Sequence, residues 1–169
     1  MKILETGRLS LRLMSTNDAE FYLRLVNEPT WLRFIGDKGI HTVEDACAAI
    51  LQGPVRMYEQ MGFCLYLVER KSDCTPIGMC GLIKRDSLDD VDIGFAFFPE
   101  YWGQGYAHES ASAVMLYGKN EIGLKRLVAI VSPDNRQSIR LIEKLGMAFE
   151  GLLELKGDGT PTKLYGRNF

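Results

Sequence analysis

A mixed α/β domain, with a block of antiparallel strands ahead of alternating strands and helices, is the fold class this chain predicts. Three observations carry that expectation. The 169 residues suit one domain, 1–169, large enough to bury a substantial core. Strand-like runs over 63–68, 77–83 and 91–98 follow one another across short turns at 71–75 and 87–90, which reads as an antiparallel meander. Beyond them the period switches between helix and strand, and a glycine-bearing turn at 102–105 leads straight into a helix.

Taken in order, Leu9, Leu11 and Leu13 alternate with Arg8, Ser10 and Arg12, as a half-buried first strand should. Asn17 and Glu20 suit a helix start, Ala19, Tyr22, Leu23 and Val26 mark its apolar face, and Pro29 lies just past its end. Thr42 and Asp45 open a second helical region, which Gly53 and Pro54 must break or kink. The run 63–68 is apolar on both alternations, so that strand is expected to be covered on both faces. A third helix is expected over about 105–122, then a strand over 127–131. Ser132, Pro133, Asp134 and Asn135 end that strand and supply caps for a helix over about 136–145, and Gly146 stands where a left-handed C-terminal residue belongs. A hairpin around Gly157-Asp158-Gly159 closes the chain. The expected order is β-α-α-β-β-β-α-β-α-β-β, about seven strands and four helices.

Bulk properties exclude several function classes. A net charge of −2 gives no reason to expect nucleic acid or an acidic membrane as partner. No run of about 18 apolar residues predicts a membrane span. Charge interrupts Met1-Lys2-Ile3-Leu4-Glu5 too early for a signal peptide, so a cytoplasmic location is expected. Cys47, Cys64, Cys74 and Cys80 form no C-x-x-C pair and read as reduced thiols. His41 and His108 stand far apart with no metal-ligand spacing near them, so no metal is expected.

The turn at Pro99-Glu100-Tyr101-Trp102-Gly103-Gln104-Gly105-Tyr106-Ala107 is the richest in chemical content. A strand feeding a glycine turn and then a helix aims unpaired backbone N–H groups and a positive helix end at one spot. Such a spot suits a phosphate or pyrophosphate. Gly103 and Gly105 would let the ligand approach the backbone, although an ordinary glycine-rich strand–helix turn reads the same way.

These residues, in this order, resemble the GNAT superfamily of acyl-CoA-dependent N-acyltransferases. More narrowly they resemble its RimJ/RimL branch of ribosomal-protein N-terminal acetyltransferases. Thr6-Gly7-Arg8-Leu9-Ser10-Leu11-Arg12 with Asp18-Ala19 is similar to the branch's opening strand and helix, and Asn27-Glu28-Pro29 with Ile35-Gly36 to its next loop. Ile77-Gly78 with Gly81 and Asp92-Ile93-Gly94-Phe95 are similar to the next strands. The segment from Pro99 to Ala107 is similar to the pyrophosphate loop, and Asn135, Ser138, Leu141 and Glu143-Lys144-Leu145-Gly146-Met147 to the segment beside the acyl-transfer site.

The resemblance implies a GNAT fold whose fourth and fifth strands splay apart, and acetyl-CoA as co-substrate. Backbone amides of Gly103, Gln104, Gly105, Tyr106 and Ala107 would hold its pyrophosphate. Main-chain groups around Phe95 to Phe97 would pair with the pantetheine arm. The Asn135 side chain would bond the arm near its far end, or cap the helix that starts at Arg136, or both. Ser138 is the implied acid for the departing sulfur, and a small cap-side residue otherwise. Asp92 is the candidate end of a proton path from the amine, and otherwise a solvated strand-edge aspartate beside Asp89 and Asp90. Two departures stand out: Trp102 replaces the usual Gln or Arg that begins the loop, and Ile142 occupies the position of a common general-acid tyrosine.

The acceptor is expected to be a primary amine, a protein N-terminus or a small molecule; Trp31, Phe34, Tyr58, Met61 and Tyr165 could line its site, although each reads more often as simple core or surface, and the loop 33–41 is a candidate edge. An edge strand or the closing hairpin could pair two copies. The competing readings are a nicotinamide enzyme, for which Gly103-x-Gly105-x-x-His108 is an imperfect fingerprint, and a non-catalytic CoA-binding module permitted by Ile142.

Overall fold

The computed structural model describes residues 1–169. Eight strands form one sheet in the order β1-β2-β3-β4-β5-β6-β8-β7. These are β1 (Lys2–Glu5), β2 (Leu9–Arg12), β3 (Leu65–Arg70), β4 (Thr75–Ile83), β5 (Asp92–Phe97), β6 (Arg126–Val131), β7 (Ala148–Glu154) and β8 (Pro161–Asn168). Every neighbouring pair is antiparallel except β5 and β6, which run parallel. The expected meander is β3–β4–β5.

Six helical segments cover the sheet: α1 (Ala19–Val26), α2 (Pro29–Phe34), α3 (Val43–Ile50), α4 (Arg56–Met61), α5 (Tyr106–Asn120) and α6 (Arg136–Lys144). The larger core, with Tyr66, Val68, Ile93, Ala111, Val114, Met115 and Ile142, lies under α5 and α6. The smaller, with Leu25, Trp31, Ala46, Ile50, Leu67, Met79 and Phe98, lies under α1–α3. Tyr66, Leu67 and Val68 on β3 have no exposure, as a strand covered on both faces requires. No helix is long and apolar enough to cross a membrane.

The structure differs from the sequence expectation at three places. There are eight strands rather than seven, because β1 pairs with β2 through Lys2↔Arg12, Leu4↔Leu11 and Glu5↔Ser10. The first helical segment is capped two residues earlier than Asn17 suggested, at Ser15: the Asp18 carboxylate accepts the Ser15 N–H at 2.8 Å, and a 3₁₀ turn, Thr16–Asp18, precedes α1. Helices number six rather than four. Pro29 does not only follow α1 but also stands at the first turn of α2, where its missing N–H costs nothing. The region opened by Thr42 and Asp45, whose backbone N–H groups each donate to the other's side-chain oxygen at 3.0 Å, does not break at Gly53-Pro54. It widens into a π turn, Leu51–Val55, and continues as α4, which relieves the clash of the proline ring with the preceding turn.

Candidate active site

The site follows from one feature of the sheet. β5 and β6 share a single ladder pair, Asp92↔Val128, with Val128 N–H donating to Val91 O at 3.0 Å. On its other side β5 pairs with β4 over six residues, from Ile83↔Asp92 to Gly78↔Phe97. Beyond Asp92 the two parallel strands diverge, so the β6-facing main chain of β5 around Phe95 is left without a strand partner. The strands expected to splay are these two.

At the open end of the split the chain leaves β5, makes a 3₁₀ turn, Pro99–Tyr101, and enters α5. Gly103 and Gly105 have φ of +71° and +83°, which side chains rarely tolerate, and a Cβ on Gly103 would meet nothing within 4 Å. The backbone N–H groups of residues 103–108 donate to nothing within the protein, whereas the next one, Glu109 N–H, reaches Gly105 O at 3.0 Å. Six consecutive unpaired donors therefore stand together at a helix N-terminus. The Trp102 indole N–H is committed to Phe97 O at 2.9 Å.

A groove of about 800 Å³ runs from this loop along the split. It brings together Phe95, Phe97, Gly103, Gly105, Tyr106, Ala107, Asn135 and Ser138 among the residues expected for the site. Gln104 does not line the groove, and its side chain turns back to Glu100 O at 2.9 Å. Asn135 caps α6 by accepting Ser138 N–H at 3.2 Å while lining the groove. The Ser138 hydroxyl makes no hydrogen bond of its own, and Ile142 is buried in the core.

Asp92 does not line the groove. It lies at the closed end of the split, 1% exposed, with Arg85 Nε 3.1 and 3.2 Å from its two oxygens. It is therefore not the solvated edge residue its neighbours Asp89 and Asp90 suggested. Burial pushes its carboxyl up, and the charge and hydrogen bond of Arg85 pull it back only in part. Of the aromatic residues expected near the acceptor, Trp31 and Phe34 line the groove, with Arg33 and Ile35 beside them. Tyr165 is buried with its ring 5.6 Å from that of Phe149, Tyr58 packs against the larger core, and Met61 is on the surface.

Four charged lining residues were given no site role by the sequence reading. Arg136, Arg140 and Lys144 stand at i, i+4 and i+8 along the groove side of α6, and none forms an ion pair within the protein. Like charges so spaced repel, which makes them a waiting surface for an anion. Their periodicity was visible in the sequence. Glu28, the one carboxylate lining the groove, stood in a family-like segment with no role attached to it.

The family profile described as an acetyltransferase (GNAT) domain matches residues 8–148. An N-acetyltransferase of Bacillus subtilis named YoaA, itself uncharacterized, is 33% identical over 162 residues, covering 94% of this chain and 91% of that protein. Among solved structures, an acetyltransferase (GNAT family) from Bacillus anthracis superposes with a TM-score of 0.81 at 27% identity, covering 99% and 98% of the two chains. RimL, described as a ribosomal L7/L12 alpha-N-protein acetyltransferase in complex with coenzyme A, gives 0.84 at 20% identity, covering 100% and 98%. The chain belongs to the GNAT acetyltransferases. It is an enzyme of the N-acetyltransferase class.

Proposed function

We propose that this protein transfers an acetyl group from acetyl-CoA to a primary amine, directly and within a ternary complex, as a RimJ/RimL-type enzyme. The observation that carries the reading is the row of six unpaired N–H groups at the mouth of the β5–β6 split. A pyrophosphate answers the N–H groups of Gly103, Gln104, Gly105, Tyr106 and Ala107. The extended pantetheine arm answers the unpaired main chain at Phe95 and the Phe97 N–H, adding to β5 as a further strand would, while Phe97 O is already taken by Trp102. The unpaired cations of α6 favour a ligand with more than one anionic group.

Transfer needs a neutral amine, a stabilised carbonyl oxygen and a protonated leaving thiolate. Backbone N–H groups on the open side of β5 supply the second. The free Ser138 hydroxyl supplies the third, and Asp92 ends the path that drains the amine's proton through intervening water. An α-amine, with a pKa of about 7.7–8.0, is already partly neutral near neutral pH, whereas a lysine at about 10.4 is not. The acceptor is therefore a protein N-terminus or a small amine of low pKa. Unpaired buried thiols suit a cytoplasmic setting.

The test is thiol release from acetyl-CoA with two peptides, one with a free N-terminus and no lysine, the other N-terminally blocked with one lysine. Release with the first and little with the second is expected. The buried Ile142 in place of a tyrosine favours one other reading, a CoA-binding module without transfer chemistry. Binding of acetyl-CoA without release for any amine would establish it.

A further inference from the structure

Glu109 places a carboxylate in the first turn of the helix whose N-terminus offers the anion site. Beside a bound pyrophosphate that charge is repulsive. The structure answers it from the other end of the chain. The Thr6 hydroxyl and the Arg8 N–H donate to its Oε1, the latter at 2.9 Å, and Arg8 Nε donates to Oε2 at 2.7 Å. Burial would raise this carboxyl, but these donors outweigh it and hold it below the usual range, so the charge persists and is neutralised in place.

The same guanidinium reaches three further parts of the loop. Its Nη1 donates to Gln104 O at 2.9 Å, and its carbon lies 4.4 Å from the centre of the Tyr106 ring. Its Nη2 would be 3.2 Å from a Cβ at Gly105, so it lies against that glycine. Glycine at 103 and 105 widens the conformations open to the loop, and a loop held in its binding shape before the ligand arrives loses less entropy on binding. Arginine suits the task because its planar fork donates in several directions at once, which an ammonium does not.

We propose that Arg8 is a positioning residue for the acyl donor: it fixes the 103–107 loop in its pyrophosphate-binding shape and masks the charge of Glu109. The proposal rests on the acetyl-CoA reading. It predicts a loss confined to donors that carry a pyrophosphate.

The experiment compares acetyl-CoA with S-acetylpantetheine, which has the thioester and no pyrophosphate, in wild type, Arg8→Ala, Arg8→Lys and Arg8→Ala/Glu109→Gln. With Arg8→Ala the KM for acetyl-CoA rises about 10- to 100-fold, the scale of lost charged hydrogen bonds. The kcat at saturation, the KM for the amine and kcat/KM for S-acetylpantetheine each change less than about twofold. Arg8→Lys recovers only part of the loss. The double variant also recovers part, because the unmasked carboxylate is gone while the tether to Gln104 stays broken. Equal losses with both donors would overturn the proposal and leave Arg8 as a general structural residue, as would an unchanged KM for acetyl-CoA. Should Arg8→Ala not fold, Arg8→Lys carries the same comparison. Failure of the wild-type protein to bind acetyl-CoA is a separate result, and it would overturn the functional reading itself.

Discussion

At Ser138 the backbone N–H is committed to Asn135, while the hydroxyl of this groove-lining residue has no partner. Ser138→Ala thus removes a proton donor and leaves the cap in place. Steady-state kinetics are expected to show kcat lower by about tenfold or more, with the Kd for acetyl-CoA changed less than twofold. An unchanged kcat would leave Ser138 as a capping residue alone. Asp92 separates differently. Its folded carboxyl sits above the reference value of 3.8, so the native state binds its proton more tightly than the unfolded chain does. Its contribution to stability is then greatest below that value and declines as pH rises through the folded pKa. Asp92→Asn is expected to lower kcat/KM roughly 100-fold and to remove the acidic limb of the pH–rate profile. A normal profile with only a lowered Tm would make Asp92 simply the partner of Arg85. Residues such as Gly103 and Gly105 were legible from the sequence because only their backbone is needed. Arg8 was not, since its partners lie 96 and 101 positions away.

Elements were legible where a period ran long enough to be read. The meander, α5 and α6 all have such a pattern. β1 has four residues with charged ends, and it becomes a strand only because β2 offers an edge. α2 was hidden because Pro29 reads equally as a stop and as a first-turn residue. The π turn was hidden because whether a proline breaks or widens a helix depends on what packs around it. The pairing of β3 with β4 gives a sharper test at this scale. A Cβ on Gly81 would stand 2.1 Å from Cys64 O and 2.7 Å from the Leu65 Cα, both backbone atoms that cannot turn aside. Gly81→Ala is expected to cost about 3 kcal/mol by denaturant unfolding, at the upper end for overpacking. A loss below about 1 kcal/mol would show that the two strands move apart more readily than their burial implies.

Across the whole molecule the sheet is one hydrogen-bonded surface with one gap, between β5 and β6, and a core on either face. Cys64 and Cys80 report on this packing. Burial raises both thiols to about 12, while Cys74 is exposed and Cys47 half-buried. A thiol reagent near pH 8 is expected to label Cys74 promptly, and Cys64 and Cys80 only as fast as the protein unfolds. Prompt labelling of all four would mean that the core opens locally.

Calorimetric titration with acetyl-CoA, with NADH as the control ligand, tests the central claim most directly. The unpaired N–H row and the β5–β6 split predict saturable binding of acetyl-CoA in the micromolar range and no binding of NADH. No heat from acetyl-CoA with a folded sample would contradict the account and return the loop at Gly103 and Gly105 to an ordinary strand–helix turn.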